Sequence, residues 1–312
     1  MDFFFFIYYY LIDKLSSLGV VVFYWNFSRS LIEFDVFGTH VNMSWYGLFF
    51  SLGFFSSAFS VMFLLKNRLL SHIDSNFELN CSIIDRFLEK FLFFLVIAVV
   101  LGARLGYVLF YGLPYYLKNF SSVFKIWEGG LSSHGGILGF FFFVAMLVRT
   151  QKDKIRGLGF FLITDIASAT FGFTAFMIRL GNLFNREILG KPTDMPWGIV
   201  FLDSFDGSSS LPLHPVQLYE GLSYLITSIA FLIFLLLNPK RVGNGCLTGM
   251  ACMAVSAIRF GLEFFKSHQG IMLSSSSPIS MGQLLSLPLF LFGAFIFARS
   301  FFIERRSAGD KV

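Results

Sequence analysis

The hydrophobic positions of this chain gather into long blocks. Windows of about 20 apolar residues, the length a helix needs to cross a bilayer, occur at 45–65, 91–112, 129–148, 158–178, 219–237, 245–265 and 281–303. They predict an all-α polytopic membrane protein with about seven transmembrane helices. Ahead of them, Phe3 to Ile12 is apolar and aromatic but only ten residues long. It follows Asp2 rather than a basic stretch and has no small-residue cleavage site behind it, so a signal peptide is a poor reading. An interfacial helix or strand resting Phe and Tyr rings at headgroup level suits it better; a short first span joined to residues 17–25 is the alternative. The organisation expected is an N-terminal interfacial segment over 1–44, a seven-span membrane domain over 45–303 and a tail over 304–312.

Composition agrees with that pattern. Hydrophobic residues make up 55% and charged residues 14%, against about 25% charged in soluble domains. Basic residues orient the spans, because loops rich in Lys and Arg stay cytoplasmic. Thirteen of the 24 fall after spans one, three and five and at the C-terminus: Lys66 to Lys90, Arg149 to Arg156, Lys240 with Arg241, and Arg305 to Lys311. Seven, from Lys14 to Lys266, fall on the other side. The N-terminus is therefore expected outside and the C-terminus in the cytoplasm, with a turn-rich outer loop from Arg179 to Leu218. Trp197 is a candidate interface anchor in that loop, and Gly207 to Ser210 and Ser274 to Ser277 read as flexible loop tips. The net charge of +5 is explained by topology and anionic lipid rather than by nucleic acid. Of the three cysteines, Cys246 and Cys252 sit in the sixth span and Cys81 in a cytoplasmic loop, with neither a disulfide framework nor zinc spacing.

Ionised groups in hydrocarbon cost several kcal/mol, so a chain this apolar keeps them only where they pair or line a polar cavity. Arg179, Asn182 and Glu187 follow the fourth span at offsets that keep them near one face of a continuing helix. A guanidinium, an amide and a carboxylate could converge there on a phosphate; a helix end leaving the membrane with solvated charges is the equally weighted alternative. Arg259 and Glu263, four apart in the sixth span, share a face and could neutralise one another. That is either an ion pair serving assembly or, as we prefer, a carboxylate that orients Arg259 toward an anionic headgroup. His134, in Ser132-Ser133-His134-Gly135-Gly136, titrates near neutrality and could take a proton, although a lone histidine at a membrane surface is more often merely solvated. Arg104 and Asp165 either pair or leave Arg104 to snorkel beside its tyrosines, and Glu220 reads as a helix start where an acid suits the dipole.

A series of motifs runs in order along the chain. They run from Trp45-Tyr46-Gly47 through Gly102-Ala103-Arg104-Leu105-Gly106-Tyr107 and Trp127-Glu128-Gly129-Gly130-Leu131 to His134-Gly135-Gly136. Arg179-Leu180-Gly181-Asn182 with Glu187 and Gly190 follows, then Pro192-Thr193-Asp194 with Pro196-Trp197-Gly198. His214-Pro215 with Gln217-Leu218-Tyr219-Glu220, Arg259-Phe260 with Glu263, and Ser280-Met281-Gly282-Gln283 close the set. In this order they resemble the prolipoprotein diacylglyceryl transferase family; the departures are Ile178 and Arg186 where the family tends to Gly, Leu213 where Arg commonly stands, and Val216 where Ser or Thr is usual.

The resemblance implies a seven-span enzyme of the bacterial inner membrane. It would move the diacylglyceryl group of phosphatidylglycerol onto the lipobox cysteine thiol of a preprolipoprotein, releasing glycerol phosphate without metal or organic cofactor. It assigns phosphate stabilisation to Arg179 and Arg259, headgroup contacts to Asn182 and Tyr46, positioning of the arginines to Glu187 and Glu263, and close approach of the loop to Gly190. His134 is the preferred base; Tyr46, a perturbed carboxylate or the field of the two arginines are the alternatives. Without the resemblance, a transporter of an anionic solute or a lipid-binding scaffold would also place arginines in the membrane. The ordered motifs argue against both, and polar residues gathered on one face argue against a path that must also open inward.

Overall fold

A computed structural model describes residues 23–36, 39–71, 77–125, 130, 132–202, 211–267 and 280–309. The interfacial reading of Phe3 to Ile12, the loop tips at 207–210 and 274–277, and the motif residues Trp127, Glu128, Gly129 and Leu131 lie outside them. Three short strands come first: β1 (Phe23–Trp25), β2 (Ser30–Val36) and β3 (Thr39–Ser44). The helices are α1 (Trp45–Leu70), α2 (Phe77–Tyr111), α3 (Leu113–Lys118), α4 (Ser133–Gln151), α5 (Phe160–Asn185), α6 (Val216–Leu237), α7 (Cys246–Leu262) and α8 (Met281–Gly309), with strand β4 (Ile199–Phe201) before α6. Among the described residues six helices are long and apolar enough to cross a membrane, and the shorter apolar helix Gly135–Gln151 makes up the seventh predicted span. The protein is thus an all-α polytopic membrane protein in its bulk.

Strands in 23–44 arise from a pattern that span-length windows overlook. Ile32, Phe34 and Val36 alternate with Glu33 and Asp35, the period of two that suits a pleated strand. β2 pairs antiparallel with β3, and β1 pairs parallel with β4.

The chain divides into two compact units. The first comprises Met1–Ser57, Ser168–Leu237 and Leu247–Val312. Its helices are joined by small residues and hydroxyls. The Thr174 hydroxyl donates to the Gly53 carbonyl at 2.8 Å, and Ser228 Oγ donates to the Ala169 carbonyl at 2.8 Å. At one end Leu183, Leu189, Ile199, Phe201 and Leu213 form a buried cluster, with Trp25 and Leu218 packed on it. Trp25 meets Phe184 edge-on at 5.1 Å, which fastens β1 to the end of α5.

The second unit comprises Ala58–Ala167 and Asn238–Cys246. Here α2 and α4 meet backbone to backbone: a Cβ on Gly102 would lie 2.5 Å from the Gly135 carbonyl, and one on Gly106 would lie 2.6 Å from the Gly135 Cα. Only glycine permits that approach, the usual device where lipid supplies no hydrophobic drive for helix association. Arg104 is 3% exposed and donates to the carbonyls of Ser122, Val123, Lys125 and Gly130, with Tyr116 beneath its guanidinium at 5.1 Å. Rather than snorkelling outward, it clamps the segment after α3. Asp165 accepts from the backbone N–H groups of Gly243 at 2.8 Å and Gly245 at 3.1 Å. Each of these two charges is therefore engaged by backbone groups of the unit.

Candidate active site

The site is built in the first unit where α5 ends. Arg179 and Asn182 lie one turn apart on α5, as their spacing predicts, and Arg179 Nη1 donates to Asn182 Oδ1 at 3.0 Å. Glu187 lies past the helix end. The N–H of Glu187 reaches the Asn182 carbonyl at 2.9 Å and that of Arg186 reaches Leu183 at 3.1 Å, with Arg186 in the left-handed region at φ 57°. This is the paired bonding of a Schellman C-cap. It folds Glu187 back beside Asn182, whose Nδ2 donates to Glu187 Oε2 at 3.0 Å, while Asn185 Nδ2 holds Oε1 at 3.1 Å. The expected convergence is thus achieved by a reversal of the chain, not by one continuing helix. Arg186 carries the strain that Gly would avoid, and its Nη2 donates to the Phe27 carbonyl at 2.8 Å.

The centre of the cluster is Glu220, which is 0% exposed. Its Oε1 accepts from the Tyr224 hydroxyl at 2.9 Å. Its Oε2 lies 3.0 Å from Arg179 Nη2 and 3.5 Å from Lys266 Nζ. Gly221 brings α6 this close, since a Cβ there would stand 3.1 Å from the Arg179 Cβ. Glu220 does lie near a helix start, α6 beginning at Val216, but tertiary contacts from α5 and from the end of α7 enclose it, so the helix dipole is not its main partner. Neighbouring Gln217, also 0% exposed, donates to the Glu187 carbonyl at 2.7 Å.

Arg259 lies on α7, and its charge is the third cation whose field reaches Glu220, after Arg179 and Lys266. The expected Arg259–Glu263 partnership is corrected. α7 stops at Leu262 and Glu263–Phe265 form a 3-10 turn, so four-residue spacing no longer stacks the two side chains. The Glu263 carboxylate instead pairs with Lys266 at 3.2 Å. Gly282 at the start of α8 leaves room for it, because a Cβ there would lie 2.9 Å from its carboxyl atoms.

Tyr46, in the first turn of α1, packs its ring on Gly181, where a Cβ would fall 2.7 Å from Tyr46 Cδ2. Glu187 and Arg179 are the charges whose fields reach its hydroxyl. Gly190 is buried against the His214 backbone, with the His214 Cβ 2.8 Å from where its own Cβ would be. The Lys191 N–H bonds to the Phe265 carbonyl at 2.8 Å and the Ser267 N–H to the Leu189 carbonyl at 3.0 Å, tying the Glu187 loop to the end of α7. The close approach expected of Gly190 is thus to a neighbouring chain segment. His134 belongs to the second unit, in the first turn of α4 after the N-cap Ser132.

The first unit therefore gathers Tyr46, Arg179, Asn182, Glu187, Gly190, Arg259 and Glu263, and adds Glu220, Lys266, Tyr224 and Gln217 to the candidates. Gln217 and Glu220 were visible as one polar turn opening an apolar span; what they touch was not. His214 and Tyr219 form a further polar contact, Nδ1 to hydroxyl at 3.2 Å, with Trp197 Nε1 donating to the same hydroxyl at 2.6 Å. Trp197 is thereby anchored to α6 rather than only to an interface. The chemical capacity of the whole is clear. The buried carboxylate of Glu220 holds Arg179 and Lys266 in place, and two nitrogens of the Arg179 fork are engaged, one by Asn182 and one by Glu220. The rest of the fork can still meet a phosphate.

The family model described as prolipoprotein diacylglyceryl transferase matches residues 32–299 of the chain. A phosphatidylglycerol–prolipoprotein diacylglyceryl transferase of Chlamydia pneumoniae is 41% identical over 279 residues, covering 88% of this chain and 94% of that protein. Proteins of the same name are 41% identical in Chlamydia caviae, over 86% of this chain and 90% of theirs, and 42% identical in Chlamydia trachomatis, over 86% and 95%.

Proposed function

This chain belongs to the prolipoprotein diacylglyceryl transferase family, and on that premise we propose how its residues carry out the transfer. It is a membrane-embedded diacylglyceryl transferase that performs the first step of lipoprotein lipidation. The donor is phosphatidylglycerol and the acceptor is the lipobox cysteine thiol of a preprolipoprotein signal peptide, both reached from the bilayer. Sulfur attacks the glyceryl carbon that bears the phosphodiester, the carbon–oxygen bond breaks, and a thioether and glycerol phosphate result. The thiol proton leaves with a base.

Arg179 and Arg259 stabilise the charge that grows on the departing phosphate, the usual task of preorganised cations. Asn182 and Tyr46 bind headgroup oxygens, and Glu187 and Glu263 hold the polar frame together with Gly190. His134 takes the thiol proton, since its ordinary range of titration is suited to that exchange. The enzyme sits in the bacterial inner membrane with its N-terminus outside and its C-terminus in the cytoplasm, as the distribution of basic residues favours. The observation that carries this reading is the Arg179 guanidinium, held between Asn182 at 3.0 Å and buried Glu220 at 3.0 Å at the end of an apolar helix.

The test is transfer by the purified protein from phosphatidylglycerol to a lipobox peptide, with glycerol phosphate counted. A diacylglyceryl mass gain on the Cys peptide, none on its Ser counterpart, and one glycerol phosphate per peptide are expected. Folded protein that yields no gain would refute the reading. In the same assay His134→Asn should lose transfer, and full turnover by that variant would remove His134 as the base.

A further inference from the structure

Glu220 has no chemical role in the transfer described so far, yet it is fully buried within the cluster. Its two oxygens are held differently. Oε1 receives an aligned hydrogen bond from Tyr224 at 2.9 Å, which fixes the rotation of the carboxylate. Oε2 has two cations near it, Arg179 at 3.0 Å and Lys266 at 3.5 Å, but no aligned hydrogen bond. It is met by charge rather than by a directed donor.

A purely structural reason for such an acid is weak, because apolar residues of similar volume commonly replace buried ion pairs without loss of stability. Geometry supplies another reason. Asn182 engages Arg179 Nη1 from the same helix, and Glu220 engages Nη2 from α6. The directed bond from Nη1 to Asn182 and the buried charge of Glu220 3.0 Å from Nη2 hold the guanidinium from two sides, which restricts its tilt as well as its position, and a bidentate contact to phosphate needs both restricted. Lys266 extends the arrangement, since it reaches Glu220 at 3.5 Å and Glu263 at 3.2 Å. The end of α7 is thereby referred to the same carboxylate as the end of α5.

We propose that Glu220 is a positioning residue for diacylglyceryl transfer: it sets the orientation of the Arg179 guanidinium toward the phosphate of the leaving group, with Tyr224 fixing the carboxylate that does so. This rests on the transferase reading above. Glu220 does not touch substrate in this role. It acts on the rate through Arg179, as the partners behind a reacting group generally do.

The experiment uses the full chain in detergent with mixed phosphatidylglycerol micelles. It compares wild type, Glu220→Gln, Tyr224→Phe, Arg179→Lys and the Arg179→Lys/Glu220→Gln pair for kcat, KM and melting temperature. Gln keeps the size and can still accept from Tyr224, but it lacks the charge. Glu220→Gln is expected to lower kcat about 100-fold with KM for phosphatidylglycerol within about threefold. Tyr224→Phe is expected to lower kcat about tenfold with unchanged melting.

In the Arg179→Lys background, where the planar fork is already gone, Glu220→Gln should add little to the loss. Wild-type kcat in both Glu220→Gln and Tyr224→Phe, or an undiminished effect of Glu220→Gln in the Arg179→Lys background, would overturn the proposal. Should Glu220→Gln fail to fold, Tyr224→Phe decides, because it removes one hydroxyl and keeps the ring against Phe171. Absence of transfer by the wild type would be failure of the transferase reading instead, a distinct outcome.

Discussion

Arg186 shows how one residue can carry strain and contact together. It occupies the left-handed cap after α5 at φ 57°, where the family tends to Gly, and its guanidinium reaches the Phe27 carbonyl at 2.8 Å. A non-glycine residue there costs about 1 kcal/mol or more, which the tether and burial offset. Replacement by Ala and by Gly removes the same guanidinium, but only Ala keeps the strain. Arg186→Gly should therefore be more stable than Arg186→Ala by about 1 kcal/mol in thermal unfolding, and equal stability would contradict the strained-cap account. At this scale the sequence was legible where a local rule governs. Arg179 and Asn182 meet because helical periodicity makes them meet, whereas Glu220 depends on partners forty or more residues away in either direction. Glu263 was assigned the wrong partner because the end of α7 at Leu262, which changes its phase, leaves no strong local signal.

Among the elements, the pair α2 and α4 and the segment they support are governed by Gly102, Gly106, Gly135 and Arg104. Arg104→Ala would leave the carbonyls of Ser122, Val123, Lys125 and Gly130 without their common donor. Losing several hydrogen bonds to one buried charge should cost at least about 3 kcal/mol. The expected readout is a lower melting temperature and faster trypsin cleavage after Lys118 and Lys125; cleavage at the wild-type rate would show that the clamp is dispensable. Gly102→Leu should be worse, because the helix backbones would have to separate. Spans were the easiest elements to read, since a block of apolar residues long enough to cross a bilayer has few other uses. The strands at 23–44 were not read, because period-two alternation over a few residues is a weak signal beside blocks of that length. The third span came out short because α4 starts only after its Ser132 cap.

For the whole molecule, the orientation proposed from the basic residues can be measured apart from chemistry. Ser71 is exposed just past α1, and Met195 is 48% exposed in the loop after α5. On that proposal a cysteine placed at Met195 should react with an impermeant maleimide added to the outer side of the membrane, and one at Ser71 only after permeabilisation. The reverse pattern would invert the proposed topology. The assignment of the arginine cluster to the outer side stands or falls with that result.

The proposed transfer turns on Arg179 acting at the phosphate of the donor lipid. The most direct measurement is transfer from phosphatidylglycerol to a lipobox peptide by wild type and Arg179→Ala, followed by mass shift of the peptide at equal amounts of inserted, folded protein. A diacylglyceryl gain in the wild type that falls by at least about a hundredfold in the variant is the predicted result. Transfer by Arg179→Ala at the wild-type rate would contradict it.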